Sequence, residues 1–164
     1  MSRKFFSIVF VLILALSLLT SGGRAEGLSR VTGSGMVHDP SGALRVATVT
    51  ARIMPDGEVK GELQGVLMGD PNLIVHGKID CIRFFEEEDG IGAVLSGWTT
   101  GKNLPAGLPN PMYIIVAVFD AGEGNDAEDI FSRAVPAPFP EVRTCLNYTP
   151  PLTPLEHGNV QVSE

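Results

Sequence analysis

Residues 44–68 alternate apolar and polar side chains on both sides of one turn, and this every-other-residue period specifies a half-buried sheet rather than an amphipathic helix. Ala47, Val49, Ala51 and Ile53 are interleaved with Thr48, Thr50 and Arg52. Beyond Pro55-Asp56-Gly57, Val59, Gly61, Leu63 and Gly65 are interleaved with Lys60, Glu62 and Gln64. Proline presets φ, aspartate bonds its own backbone and glycine accepts a positive φ, so the segment reads as a β-hairpin. The small residues on its apolar side, Ala47, Ala51, Gly61 and Gly65, imply a tightly curved sheet or a close neighbouring layer.

The same period governs the rest of the chain. A second hairpin pairs 73–85 with 91–99 across the acidic turn Glu86-Glu87-Glu88-Asp89-Gly90. Leu73, Val75, Gly77, Ile79 and Cys81 fall on one face and Ile74, His76, Lys78 and Asp80 on the other, which predicts Cys81 in the interior. Residues 112–119 are apolar on both faces. Such a strand is either central and covered twice, or lines a cavity or partner surface. Residues 130–135 and 142–147 read as shorter strands, although 126–132 could hold a helical turn capped by Asn125 or Asp126. A stiff spacer, Pro150-Pro151-Leu152-Thr153-Pro154, precedes the last candidate strand, 159–163. Eight or nine short strands with frequent turns predict an all-β fold, a single antiparallel barrel of about eight strands, with a two-sheet β-sandwich as the alternative. Pairing 159–163 with 31–37 would remove both exposed edges and favours the barrel.

The amino terminus carries a different pattern. Arg3 and Lys4 precede an apolar run over residues 5–19 that contains only Ser7 and Ser17, and Gly22-Gly23-Arg24-Ala25 supplies small residues for cleavage. Residues 1–25 are therefore expected to be a signal peptide. A single membrane-spanning helix is the competing reading, disfavoured because the run is shorter than the ~20 residues that cross a bilayer and glycines follow it at once; after cleavage no membrane span is expected. Residues 26–164 then form a single β-rich domain, secreted or periplasmic, long enough to bury a core.

Composition narrows the function classes. The chain has 12 basic and 19 acidic residues, and Arg3, Lys4 and Arg24 lie in the leader, leaving the exported part more acidic still. Such a balance argues against a nucleic-acid partner, whose phosphates need a basic footprint. The two cysteines, Cys81 and Cys145, read as a disulfide in an oxidising compartment. The chain-entropy model gives such a bridge about 4 kcal/mol.

Val31-Thr32-Gly33-Ser34-Gly35, the Pro55-Asp56-Gly57 hairpin, Val75-His76-Gly77-Lys78-Ile79-Asp80-Cys81, the loop Asp120-Ala121-Gly122-Glu123-Gly124-Asn125 and the ending Gly158-Asn159-Val160-Gln161-Val162 occur in that order. Together they resemble a family of small secreted bacterial all-β proteins of uncharacterised function. The resemblance implies a bacterial, exported, all-β domain and brings no activity with it. Where such proteins often carry asparagine after the loop aspartate, this chain has Ala121.

Candidate chemistry concentrates in the acidic loop. Asp120, Glu123, Asn125, Asp126 and Asp129, with Glu128 beside them, supply hard oxygens of the kind calcium takes, and Gly122 and Gly124 let the backbone fold around a centre. The spacing is not that of a helix-loop-helix calcium site, and a solvated loop whose carboxylates cap turns is the competing reading. The Glu86 to Asp89 cluster reads as a charged guard on a hairpin tip. His38, His76 and His157 show no zinc-ligand spacing. Ser34 and Ser96 lie outside the nucleophile-elbow pattern. Trp98, Tyr113 and Phe119 could line a pocket for a small apolar ligand or else form core.

No catalytic residue is singled out. The expectation is an exported non-enzymatic β-barrel that binds a cell-surface partner or small ligand, or serves a structural role. The alternative is a hydrolase or isomerase acting on an envelope saccharide or small molecule, which requires two or more of His76, Asp80, Asp120, Glu123 and Asp126 to converge in a cleft.

Overall fold

The computed structural model describes residues 29–38, 44–66, 74–102, 109–122, 128–132, 135–137 and 145–164. The leader, Glu123, Asn125 and Asp126 lie outside them. Among the described residues nine strands follow in chain order: β1 (Arg30–His38), β2 (Leu44–Ile53), β3 (Val59–Val66), β4 (Ile74–Glu87), β5 (Gly90–Gly101), β6 (Met112–Asp120), β7 (Ile130–Phe131), β8 (Val135–Ala137) and β9 (His157–Ser163). They make one antiparallel sheet in the order β7-β6-β5-β4-β3-β2-β1-β9, and β8 pairs with the other half of β6. The sheet curls into a nearly closed eight-strand barrel, and no helix occurs among the described residues.

The first hairpin forms as its sequence requires. Met54 and Glu58 close the turn by backbone hydrogen bonds, the Asp56 carboxylate accepts the Glu58 N–H at 3.0 Å, and Gly57 adopts φ +82°. Gly61 faces Ala51 across the ladder, and a Cβ at Gly61 would stand 2.6 Å from that of Ala51. The small inward residues are thus needed for tight curvature. As expected, β9 returns to pair with β1, with Val160 opposite Gly33.

Side chains fill the described interior. Val31, Val49, Leu63, Val75, Ile79, Leu95, Ile114, Val116, Val118, Phe131 and Val160 belong to one apolar cluster whose members are at most 4% exposed. Each buried aliphatic side chain contributes about 1.5–3 kcal/mol.

Two features depart from the sequence reading. The β4–β5 ladder matches Ile79 to Gly97 and Cys81 to Ser96, so Asp80 is an extra residue in a β-bulge. The bulge reverses the alternation, and Cys81 lies on the outer face rather than in the interior. There it forms the disulfide with Cys145, their Cα atoms 5.9 Å apart. The second departure is local: Cys145-Leu146-Asn147 is a turn rather than the end of a strand over 142–147, and the expected strand over 130–135 is divided between β7 and β8. The bridge holds residues 145–152 over the outside of β4, β5 and β6. Cys145, Tyr148 and Leu152 pack on Val94, Ile115 and Ala117, while Arg83 donates to the Cys145 carbonyl at 2.8 Å and to Thr149 Oγ1 at 2.7 Å. This outer layer explains why β6 is apolar on both faces.

The remaining seam lies between β9 and the β6–β7 edge. Asp129 accepts the Val160 N–H at 2.6 Å through one carboxylate oxygen and the Ala121 N–H at 3.2 Å through the other. Asp120 likewise accepts the Val162 N–H at 2.9 Å and the Gly122 N–H at 2.9 Å. The bonds to Val160 and Val162 place carboxylates where a neighbouring strand would offer carbonyls, and those to Ala121 and Gly122 fix the carboxylates in position. Replacing Asp129 by Ala leaves two partly buried amides without acceptors and is expected to cost about 2–3 kcal/mol in urea unfolding. Asp129→Asn, which keeps one acceptor, should lose less. Hydrogen exchange should accelerate at Val160 but not at Thr50; an unchanged unfolding midpoint would contradict this account of the seam.

Candidate functional site

The outer face of β3, β4 and β5 bears the most exposed aromatic side chain of the described barrel. Successive registers set Glu62 beside Lys78, Lys78 beside Trp98 and Trp98 beside Tyr113, while Gln64, His76 and Thr100 make the adjoining row. Trp98 is 47% exposed. It sits in a surface groove of about 480 Å3 lined by Glu62, Gln64, His76, Lys78 and Pro111. Pro111 is brought there by the preceding residue, since the Asn110 side chain both accepts from and donates to the Gly101 backbone.

A chain of hydrogen bonds backs this aromatic. The Cys145 N–H donates to Ser96 Oγ at 3.1 Å; Ser96 donates to Tyr113 Oη at 2.8 Å; Tyr113 donates to Asp80 Oδ1 at 3.1 Å. Each hydroxyl accepts one bond and gives one, so the series is satisfied in a single direction and its members polarise one another. Trp98 and Tyr113 pack in a T-shaped pair with centroids 5.3 Å apart and planes at 76°. The exposed indole is therefore braced by a buried phenol, and the phenol by the bulge and the disulfide-linked strap.

Burial raises the Tyr113 pKa above the ordinary tyrosine value; the Ser96 hydrogen bond works against this, while the charge of Asp80 and its hydrogen bond add to it. The physical meaning is that the neutral phenol is the form that fits.

The sequence candidates divide clearly. Trp98 and Tyr113 touch, whereas Phe119 stacks on Phe85 at 6.3 Å near the far end of β6, about 20 Å along the strand. All three side chains lie on the outer face, opposite the interior set Ile114, Val116 and Val118. They do not enclose a common pocket. Among the carboxylates, Asp120 and Asp129 bond backbone amides at the seam. Among the described residues no three metal-ligating side chains cluster. His76 lines the groove, Asp80 lies four residues further along β4 on the bulge, and Asp120 is at the seam, so these three described residues share no cleft.

Sequence reasoning passed over Ser96, Asp80 and Arg83 as a set. A serine within an otherwise apolar strand was the available signal for Ser96, because a buried hydroxyl must find partners. Nothing local marked Asp80 as a bulge.

The raised Tyr113 pKa fixes a pH dependence. The stabilisation by the neutral phenol is complete below the unfolded-state value of about 10 and is lost as pH rises through the higher folded value. Tyr113→Phe should lower stability at neutral pH by about 1–2 kcal/mol through loss of the Ser96–Asp80 link. It should also flatten the alkaline fall in stability, measured by urea unfolding, relative to the parent chain. Comparison with protein-family models, curated proteins and solved structures gave no match.

Proposed function

We propose that the chain is an exported, non-enzymatic binding barrel that engages its ligand on the outer sheet at Trp98 rather than inside the barrel. The braced exposure of Trp98 carries this reading. An indole that shows nearly half its surface to water gains by covering its face, and its fixed orientation removes part of the ordering cost of binding. The polar rim of Glu62, Gln64, His76 and Lys78 suits a ligand with one apolar face and hydrogen-bonding edges, of which a saccharide ring is the simplest example.

Export is supported by the leader-like pattern over residues 1–25 and by the Cys81–Cys145 disulfide, a bond that persists in oxidising compartments. The resemblance to small secreted bacterial proteins agrees with this reading. Mass spectrometry of the mature product is expected to find Glu26 as the first residue. Recovery of the intact chain would remove the export assignment.

Trp98 is the only tryptophan, which makes its fluorescence a direct reporter. Titration with soluble oligosaccharides from bacterial envelopes is expected to give a saturable change. By calorimetry, Trp98→Ala should weaken the same binding by about tenfold or more, as loss of an aromatic anchor does, with little change in melting temperature. Absence of saturable binding to any such oligosaccharide, or equal affinity of the variant, would refute the proposed role.

A further inference from the structure

We infer that the outer face of β1, β2 and β3 holds a second binding site, for a phosphate-type oxyanion, formed by Arg30, Arg52 and Lys60. The site is independent of the reading given to Trp98. Arg30 is opposite Arg52 in the β1–β2 ladder, and Arg52 is opposite Lys60 in the β2–β3 ladder. Three cations from three strands therefore stand in one cross-strand row, with neighbouring Cβ atoms about 5 Å apart.

Like charges placed directly opposite destabilise a sheet, and a chain with a net charge of −7 has ample acidic residues with which to break the row. Among the described residues it does so only at one end. Glu58 lies 3.1 Å from Lys60, with both side chains more than half exposed, so water and salt weaken that pair. Neither guanidinium has an ion pair among the described residues. The three cations, with Thr50, line a groove of about 610 Å3, and Glu62 bounds it on the side of Lys78.

Ligand chemistry follows from the donors. A guanidinium offers paired N–H groups that match two oxygens of one anion, and the lysine adds a point charge. A single carboxylate has oxygens for one such fork. A tetrahedral oxyanion of charge near −2 has enough to face both arginines and Lys60 at once and to neutralise their mutual repulsion. The rest of the acidic surface repels such an anion, which focuses its approach on this row.

Inorganic phosphate titrated into the disulfide-bonded chain, followed by backbone amide NMR, tests the site. Saturable shifts are expected at Arg30, Arg52 and Lys60, weakening as sodium chloride rises from about 0.05 to about 0.5 M. Arg52→Gln should reduce affinity about tenfold or more, the loss expected when a charged hydrogen-bonding group is removed. Lys102→Gln, a cation at the end of β5, should leave it unchanged. Should Arg52→Gln melt below the parent chain, Arg30→Gln supplies the same comparison. A parallel arm uses phosphatidylcholine vesicles with and without phosphatidic acid, a lipid phosphomonoester with three free phosphate oxygens. Response to phosphate assigns a free oxyanion, and response to phosphatidic acid vesicles alone, lost in Arg52→Gln, assigns the same chemistry on a lipid headgroup. No saturable response in either arm, or equal weakening by Lys102→Gln, overturns the inference.

Discussion

A curled sheet becomes a barrel only if its two last edges find hydrogen-bond partners, and in this protein the partners are carboxylate oxygens. Asp120 and Asp129 stand at the two ends of the connection between β6 and β7 and accept the outward amides of Val162 and Val160. Backbone bonds from Phe131 to the Thr153 carbonyl and from Leu155 to the Asp129 carbonyl continue the same join. A charged acceptor bonds an amide more strongly than a neutral carbonyl does, so the two bonds to Val160 and Val162 replace part of a missing strand pairing. The interior depends on this. Phe131 and Val160, from the two sides of the seam, meet in the central apolar cluster, and an open seam would admit water between them.

Outside the barrel, one inserted residue organises a second layer. The Asp80 bulge turns Cys81 outward, the disulfide fixes Cys145 above Ser96, and the strap then covers the outer side of β6. The same bulge presents the Asp80 carboxylate to Tyr113. Strand insertion, covalent clamp and hydrogen-bond chain converge on the phenol that braces Trp98. Stability of the outer layer and orientation of the candidate binding surface therefore have one structural origin.

Charge in this chain is informative by position and misleading in total. Nineteen acidic residues dominate the composition, yet two of them act as backbone acceptors at the seam, and three cations line up across β1, β2 and β3. Averaging over the chain conceals that row because its members are 22 and 8 residues apart in sequence and become neighbours only through strand register.

Alternation, turn chemistry and cysteine count determined the all-β class, the Pro55-Asp56-Gly57 hairpin and the Cys81–Cys145 pair, because each depends on local backbone preference or on a pairing that has one solution; the return of β9 to β1 was an expectation that left a two-sheet sandwich as the alternative. Both apolar faces of β6 were also legible, but not what covered the outer one. Tertiary structure alone decided the face on which Cys81 lies, the use of Asp120 and Asp129 as strand substitutes, the separation of Phe119 from Trp98 and Tyr113, and the alignment of Arg30, Arg52 and Lys60. A period of two states which residues share a face only while the ladder is unbroken. It does not say where an extra residue enters, or which distant strands become neighbours when the sheet closes.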